Sequence, residues 1–141
     1  QKSVGRNSTL ILGITPDTSG LIPESDKARL AEFGRALSKQ YGTPIASSRP
    51  KNWLFRKTFT LKLSEASLLS LLVIQEDIVD GERIREFVIE GKKGSQWITL
   101  ATGSCIGHKR IIPLEPIGVS ALRVKIIKST SQAKLVQLAA Y

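Results

Sequence analysis

The apolar residues of this 141-residue chain follow two different periods, and the change comes shortly after residue 42. Before it, apolar side chains recur every three or four residues, as they do along one face of an α-helix. After it, they alternate with polar residues or form short unbroken runs, as they do in β-strands. The pattern predicts a mainly β protein: an antiparallel β-sandwich or jelly roll, preceded by one strand and one helix.

The chain opens with a predicted strand and a turn. Residues 9–12 read TLIL, a short and partly β-branched apolar run that is typical of a strand buried on both faces of a parallel sheet. Residues 15–20 read TPDTSG, in which Pro16 fixes φ and Gly20 permits a positive φ. We therefore expect the strand to end where this turn begins.

A helix is predicted over residues 23–41. Pro23 suits the first helical position, where a missing N–H costs nothing, and Glu24 in the first turn suits the helix dipole. Gly42 and Pro44 supply the stop. The apolar residues that form one stripe at helical spacing are Leu30, Phe33, Leu37 and Tyr41.

The rest of the chain reads as strands separated by turns rich in Gly, Ser and Asp. Residues 55–63 alternate between apolar and polar side chains, and residues 68–74 form a continuous apolar run that suits a central strand. Further predicted strands cover residues 84–90, 96–101, 109–114, 122–127 and 135–139. Residues 43–141 thus contain enough strands for a sandwich, whereas the strand and helix of residues 1–42 cannot bury their own apolar faces. We infer that residues 1–42 need an upstream partner.

Charge and residue counts exclude several functional classes. The net charge is +9, but the basic residues are spread in ones and twos and are not interleaved with aromatics, so we expect a solvated basic surface and no nucleic-acid partner. No apolar run is long enough to cross a membrane. Cys105 and His108 are the single cysteine and histidine, which excludes an internal disulfide and a Cys/His zinc site. No cofactor or metal is expected.

Three regions of the chain carry recognisable motifs. Residues 4–17 read VGRNSTLILGITPD, and residues 20–24 and 29–34 read GLIPE and RLAEFG. Within the predicted sandwich, the motifs are VIQEDI at 73–78, GERI at 81–84 and IGHKRI at 106–111. Together they resemble the C-terminal part of the retaining α-L-fucosidases, in which the first region is similar to the closing barrel strand and the second to the helix that follows.

The resemblance implies a larger enzyme that removes terminal α-L-fucose from fucosylated glycans. Residues 1–42 would be the last strand and helix of a catalytic (β/α) barrel that lies mostly upstream, and residues 43–141 a C-terminal sandwich. The family uses two carboxylates in a double displacement, and both lie upstream of the part that this chain resembles. No catalytic residue is therefore expected here, and the chain alone is expected to be inactive. The family implies a secreted, periplasmic or lysosomal protein.

The chain departs from the family pattern at three places. Gly13 stands where the family often has Asn, and His108 where it commonly has Tyr. The sandwich of the family opens with a longer segment, which is missing here between Pro50 and Trp53. In related modules such loops carry sugar-binding surfaces. The alternative function is a non-catalytic carbohydrate-binding sandwich.

Candidate substrate-binding residues come from two regions. Thr15, Pro16 and Asp17 follow the barrel-like strand, and the C-terminal ends of barrel strands face the active site; the alternative is a simple turn. Trp53 and Trp97 are candidates for stacking on sugar rings, although a half-buried packing role is the more usual one for Trp97 in its alternating strand.

The remaining candidates have structural interpretations. Neighbours in a strand point to opposite faces, so Glu76 and Asp77 cannot face each other across a sugar, and we expect a strand end or turn here. We expect Glu76 or Glu82 to pair with Arg83. Cys105 is expected to be a small buried apolar residue, and His108 a surface or interface residue.

Overall fold

A computed structural model describes residues 1–50 and 57–141 and divides the chain into two compact units. One unit is Leu10–Thr43, and the other combines Gln1–Thr9 with Pro44–Tyr141. No helix in the described part of the chain is long and apolar enough to cross a lipid bilayer. The assignment of residues 1–42 to a barrel stays a prediction.

The smaller unit contains helix α1, Glu24–Tyr41, which confirms the predicted helix to within one residue at its start. Pro23 precedes it with φ −55° and ψ 145°, an extended conformation that leads into the first turn. Ion pairs one turn apart lie on its surface, Lys27 with Glu24 at 2.6 Å and Arg29 with Glu32 at 2.7 Å. No residue of α1 is buried in this chain.

The strand predicted over residues 9–12 is not formed, and these residues have no regular secondary structure. The prediction was wrong for the chain as it stands. A strand exists only through hydrogen bonds to a neighbouring strand, and this unit contains none. Three of the four residues, Leu10, Ile11 and Leu12, are exposed apolar side chains.

The larger unit is built on one antiparallel sheet with the strand order β1-β6-β2-β5-β3-β4. The predicted mainly β, antiparallel fold is confirmed. The strands are β1 Ala46–Ser48, β2 Thr58–Glu76, β3 Ile84–Lys93, β4 Gln96–Gly103, β5 Arg110–Ser129 and β6 Leu135–Ala140.

Two long strands, β2 and β5, run through both halves of this sheet, of which one contains β3 and β4 and the other β1 and β6. The N-terminal part of β2 pairs with the C-terminal part of β5, which also pairs with β3. The C-terminal part of β2 lies between β6 and the N-terminal part of β5. Register shifts between Lys62 and Ser67 and between Leu69 and Leu71 mark the irregular middle of the pair. Buried apolar residues from both halves form one core, which includes Leu72 and Leu138 from one half and Phe87 from the other.

The predicted strand 55–63, from Thr58 onward, and the predicted strand 68–74 are parts of one strand, β2; residues 55 and 56 lie outside the described residues. The predicted strands 109–114 and 122–127 are likewise parts of β5, and the prediction of each pair as two separate strands was wrong. The bulges interrupt the two-residue period without ending the strand. Pro116 lies in the irregular stretch between the pairings of Pro113 and Ile117, where a strand tolerates a residue without an N–H.

The first nine residues are tied to the edge of β5. The N–H of Ile111 donates to the carbonyl of Gly5 at 3.1 Å, and Arg6 bridges Arg110 in antiparallel fashion. Asn7 has a φ of 65°, a left-handed conformation that Asn adopts more readily than most residues. Its side-chain Oδ1 accepts a hydrogen bond from the N–H of Lys109 at 2.9 Å. Asn7 thus ends the segment that joins the sheet.

Candidate functional site

The first predicted site, residues 15–17, lies exposed in the smaller unit at the start of a tight turn. Oδ1 of Asp17 accepts hydrogen bonds from the N–H of Ser19 at 2.8 Å, from its hydroxyl, and from the N–H of Leu21 at 3.1 Å. The hydroxyl of Ser19 is the main reason why the pKa of Asp17 is lowered, with the N–H of Leu21 next. The carboxylate therefore holds the turn closed, and a role of these residues at a pocket mouth stays a prediction.

The second predicted site involves the two tryptophans. Trp53 falls outside the described residues, so its predicted stacking role stays a prediction. Trp97 is half-buried on β4, as its alternating strand indicated. Its ring lies beneath the guanidinium of Arg123, whose Cζ is 4.2 Å from the ring centroid, a cation–π contact. One side of the indole is thereby covered by the protein itself.

Glu76 and Asp77 have separate structural roles, as their alternation predicted. Glu76 is the last residue of β2 and is 2% exposed. Its Oε1 accepts the N–H groups of Arg83 at 2.8 Å and Ile84 at 3.0 Å, and its Oε2 that of Gly107 at 3.2 Å. Asp77 instead pairs with Lys134 at 2.9 Å, and this hydrogen bond is the main cause of its lowered pKa.

The prediction that the side chain of Arg83 pairs with Glu76 or Glu82 was wrong. Its guanidinium pairs with Asp80 at 3.0 Å and donates to the carbonyl of Gln132 at 2.8 Å. Glu76 contacts Arg83 through the backbone N–H and not through the guanidinium. Glu82 is not the ion-pair partner of Arg83 either. Asp80 is nearer because the turn around Gly81 brings residues three apart together.

Cys105 and His108 lie in the loop between β4 and β5. His108 is exposed, as predicted. Cys105 is half-exposed, so the prediction of a buried cysteine was wrong: the apolar residue that this loop buries is Ile106, at 0% exposure. In the described part of the chain, no three His, Cys, Asp or Glu side chains lie close enough to hold a metal ion.

The structure brings together a charged cluster that the sequence analysis missed. Glu90 on β3 accepts Nε of Arg123 at 2.6 Å and Nζ of Lys125 at 3.0 Å, both from β5. Partial burial of Glu90 raises its pKa, but the hydrogen bonds and charges of Arg123 and Lys125 outweigh this and lower it. Because Arg123 also covers Trp97, the four side chains form one contact network on the outer face of the sheet.

Sequence separation explains why this cluster was missed. Glu90 is 33 residues from Arg123 and 35 from Lys125, and strand register places it opposite the first of them. The available signal was the alternation of Arg123 and Lys125 with buried residues in β5, which put both on one face. The strand with which they pair could not be read from the sequence.

Comparison with known proteins shows which proteins this chain resembles. No family model matches the chain. A crystal structure from Bacteroides thetaiotaomicron, of a protein assigned as an α-L-fucosidase, superposes with a TM-score of 0.91 and is 42% identical, over 99% of this chain and 32% of that one. A second such structure, from Bacteroides ovatus, has a TM-score of 0.82 and 32% identity, over 99% of this chain and 24% of that one. Alpha-L-fucosidase 1 of Arabidopsis thaliana is 27% identical over 99% of this chain.

The chain is related to the C-terminal portion of α-L-fucosidases. The resemblance noted in residues 4–17, 20–34 and 73–111 is thereby confirmed. The chain spans about a third of the length of the curated α-L-fucosidases that it matches, 30% of one and 34% of the other. Its mainly β fold matches the C-terminal domain of these enzymes.

Proposed function

We propose that this chain is the C-terminal part of an α-L-fucosidase, which removes terminal α-L-fucose from glycans. The observation that carries the proposal is the match over 99% of this chain, at 42% identity, to only 32% of a protein assigned as an α-L-fucosidase. The part of such a protein that this chain does not cover would lie upstream and carry the chemistry. The sheet unit would serve as an accessory domain of the same protein.

The smaller unit, Leu10–Thr43, would close the catalytic barrel. It exposes many large apolar side chains, and a patch of this kind marks a surface that another part of a protein covers. They are Leu10, Ile11, Leu12, Ile14, Leu21, Ile22, Phe33 and Leu37. Residues 9–12 have the composition of a two-face-buried strand and lack a neighbouring strand. An upstream parallel sheet would supply that neighbour and would cover the apolar stripe of α1.

The reaction would follow the retaining route. It needs one carboxylate as nucleophile and a second carboxyl as acid/base, about 5 Å apart across the sugar. Three carboxylates that the structure describes are engaged otherwise: Glu76 with backbone N–H groups, Glu90 with two cations, and Asp17 within its turn. We therefore place both reacting carboxylates upstream and expect the chain alone to be inactive.

Residues 15–17 would lie at the rim of the substrate pocket. They directly follow the segment that we assign to the last barrel strand, and barrel enzymes build their active sites from such loops. The Asp17 turn would then fix the rim rather than contact the reacting bond. As the family resemblance implies, the protein would be secreted, periplasmic or lysosomal.

Hydrolysis of a chromogenic α-L-fucoside tests the proposal. The protein extended upstream is expected to release the chromophore, whereas the 141-residue chain at equal concentration is not. A β-D-galactoside with the same leaving group controls for unspecific hydrolysis. Failure of the extended, folded protein to cleave any α-L-fucoside would refute the proposal, and activity of the short chain would refute the upstream position of the carboxylates.

A further inference from the structure

The outer face of the sheet gathers basic residues that are scattered in the sequence. Lys62 on β2 lies two residues from Thr60, which pairs with Arg123, and Arg123 itself pairs with Glu90 on β3. Residues paired across antiparallel strands, and residues two apart on one strand, share a face. We call the following set the basic face: Lys62, Lys92, Arg123 and Lys125 around Glu90, with Trp97 opposite Lys92.

The positive charge of the basic face is not balanced by the side chains that the structure describes. Among these, Glu90 is the one carboxylate beside the four cations, and it accepts hydrogen bonds from Arg123 and Lys125. Lys62 and Lys92 form no ion pair with any side chain that the structure describes. The face spans roughly 10 Å from β2 to β3, two strand spacings. It thus carries a concentrated surplus of positive charge.

Arg123 is held in position for a further ligand. Its Nε is bonded to Glu90, and its plane lies over Trp97 at 4.2 Å, so its side chain loses little freedom on binding. A planar guanidinium anchored in this way presents its remaining N–H groups to an oxyanion in a fixed direction. Surface lysines beside it extend the attraction without fixing geometry.

We propose that the basic face binds anionic glycans, whose sulfate or carboxylate groups are held by Arg123 and its neighbouring lysines. The choice of a glycan as the polymer rests on the proposed function. The choice of an anionic one rests on the charge of the face. A nucleic acid fits less well, because Trp97 is the one aromatic residue of this face within residues 1–50 and 57–141, and one side of its ring is already covered.

Binding of dextran sulfate, compared with neutral dextran of the same length, tests the proposal on the 141-residue chain. Calorimetry is expected to detect binding of dextran sulfate only, weakening as salt is added. Polygalacturonate carries carboxylates in place of sulfates and therefore shows which of the two groups the face binds. Binding of dextran sulfate or of polygalacturonate supports the proposal. Equal affinity for dextran and dextran sulfate would overturn it, as would tighter binding of a DNA duplex.

A pair of double variants with equal loss of charge locates the site. Lys62→Gln with Lys92→Gln is expected to weaken dextran sulfate binding about tenfold, because two of the contacts are lost. Lys2→Gln with Lys39→Gln removes two exposed lysines from elsewhere and is expected to stay within about twofold of the unchanged protein. Equal weakening in both would show unspecific attraction and would refute the site.

NMR of the unchanged chain tests the site without relying on variants that could fail to fold. In the unchanged chain, dextran sulfate is expected to shift the NMR signals of the Trp97 indole N–H and the Arg123 amide, and to leave the amides of α1 in place. Shifts confined to other surfaces would contradict the proposal. Failure of the extended protein on fucosides, with dextran sulfate binding retained, would refute the proposed function alone.

Discussion

Glu76 and Gly107 are joined by two hydrogen bonds: the N–H of Glu76 donates to the carbonyl of Gly107 at 2.9 Å, and the N–H of Gly107 donates to the Glu76 carboxylate at 3.2 Å. The same carboxylate accepts the N–H groups of Arg83 and Ile84. A single buried side chain therefore connects the end of β2, the start of β3 and the loop that precedes β5. Three backbone N–H groups, those of Ile84 and Gly107 buried and that of Arg83 partly buried, find their acceptor in it.

Removal of this acceptor should destabilise the sheet strongly. Glu76→Ala leaves buried N–H groups without partners and is expected to lower the free energy of unfolding by roughly 3 kcal/mol. Glu86→Ala, the same change at an exposed position of β3, is the matched control and is expected to cost less than about 0.5 kcal/mol. Urea unfolding gives both values. Equal midpoints for the two variants would mean that water or a local rearrangement satisfies these donors.

A methyl group at Gly107 should be costly for two reasons. Its φ is +63°, and a Cβ there would come into contact with side-chain atoms of Asn7 and Glu82. Gly107→Ala is expected to cost about 2 kcal/mol or more. Gly118→Ala is the control, because a Cβ there meets nothing within 4 Å and its φ is not positive. It should be neutral or slightly stabilising, since alanine restricts the unfolded chain.

The two substitutions are compared by thermal unfolding of the full chain. A loss confined to Gly107→Ala supports the strained, crowded position, and hydrogen exchange should then quicken at Lys109, whose N–H is held by Asn7. Similar losses for both substitutions would mean that alanine is equally unfavourable at both glycines, which would contradict the special strain and crowding that we assign to Gly107.

The sequence was sufficient for local features of the fold. The stripe from Leu30 to Tyr41 and its flanking Pro and Gly gave α1 to within one residue, because a helix is decided by contacts close in sequence. Strand positions also followed from the two-residue period. The continuity of β2 did not, because a bulge breaks the period while the chain stays paired with β5.

Features that depend on pairing between distant residues could not be predicted. The charge count correctly indicated a basic protein. The spacing of the basic residues along the sequence suggested that their charge is dispersed, whereas strand register brings Lys62, Lys92 and Arg123 to one face. Strand alternation alone led to the prediction of a strand end at Glu76, where β2 does end. The backbone partners of Glu76 were not predicted, because Gly107 lies 31 residues away and nothing local marks it as a donor.

The ion pairs of Glu90 should make stability depend on pH in the acidic range. Its folded pKa lies below the ordinary value of 4.5, so the charged pair contributes fully above about 4.5 and is lost as the pH falls through the folded pKa. Glu90→Gln is therefore expected to be less stable than the unchanged chain by about 1 kcal/mol at neutral pH. The difference should shrink steadily below pH 4.5.

Urea unfolding at a series of pH values measures this difference. Glu86→Gln serves as the control, because Glu86 is exposed on the same strand, and its difference should be small at every pH. A Glu90→Gln deficit that is as large at pH 3 as at pH 7 would show that the shape of the side chain, and not its charge, is what stabilises the cluster.

The apolar stripe of α1 should contribute to stability only in the presence of the upstream barrel that we propose. Phe33 and Leu37 are each 42% exposed in this chain, so Phe33→Ser or Leu37→Ser should change its unfolding free energy by less than about 0.5 kcal/mol. In the extended protein, where we propose that the stripe is covered, each should cost roughly 3 kcal/mol. Arg35→Ser, on the opposite side of the helix, should be mild in both. Thermal unfolding and fucoside hydrolysis of the extended variants decide the matter: if Phe33→Ser is as mild as Arg35→Ser there, the helix does not pack against the barrel through this stripe.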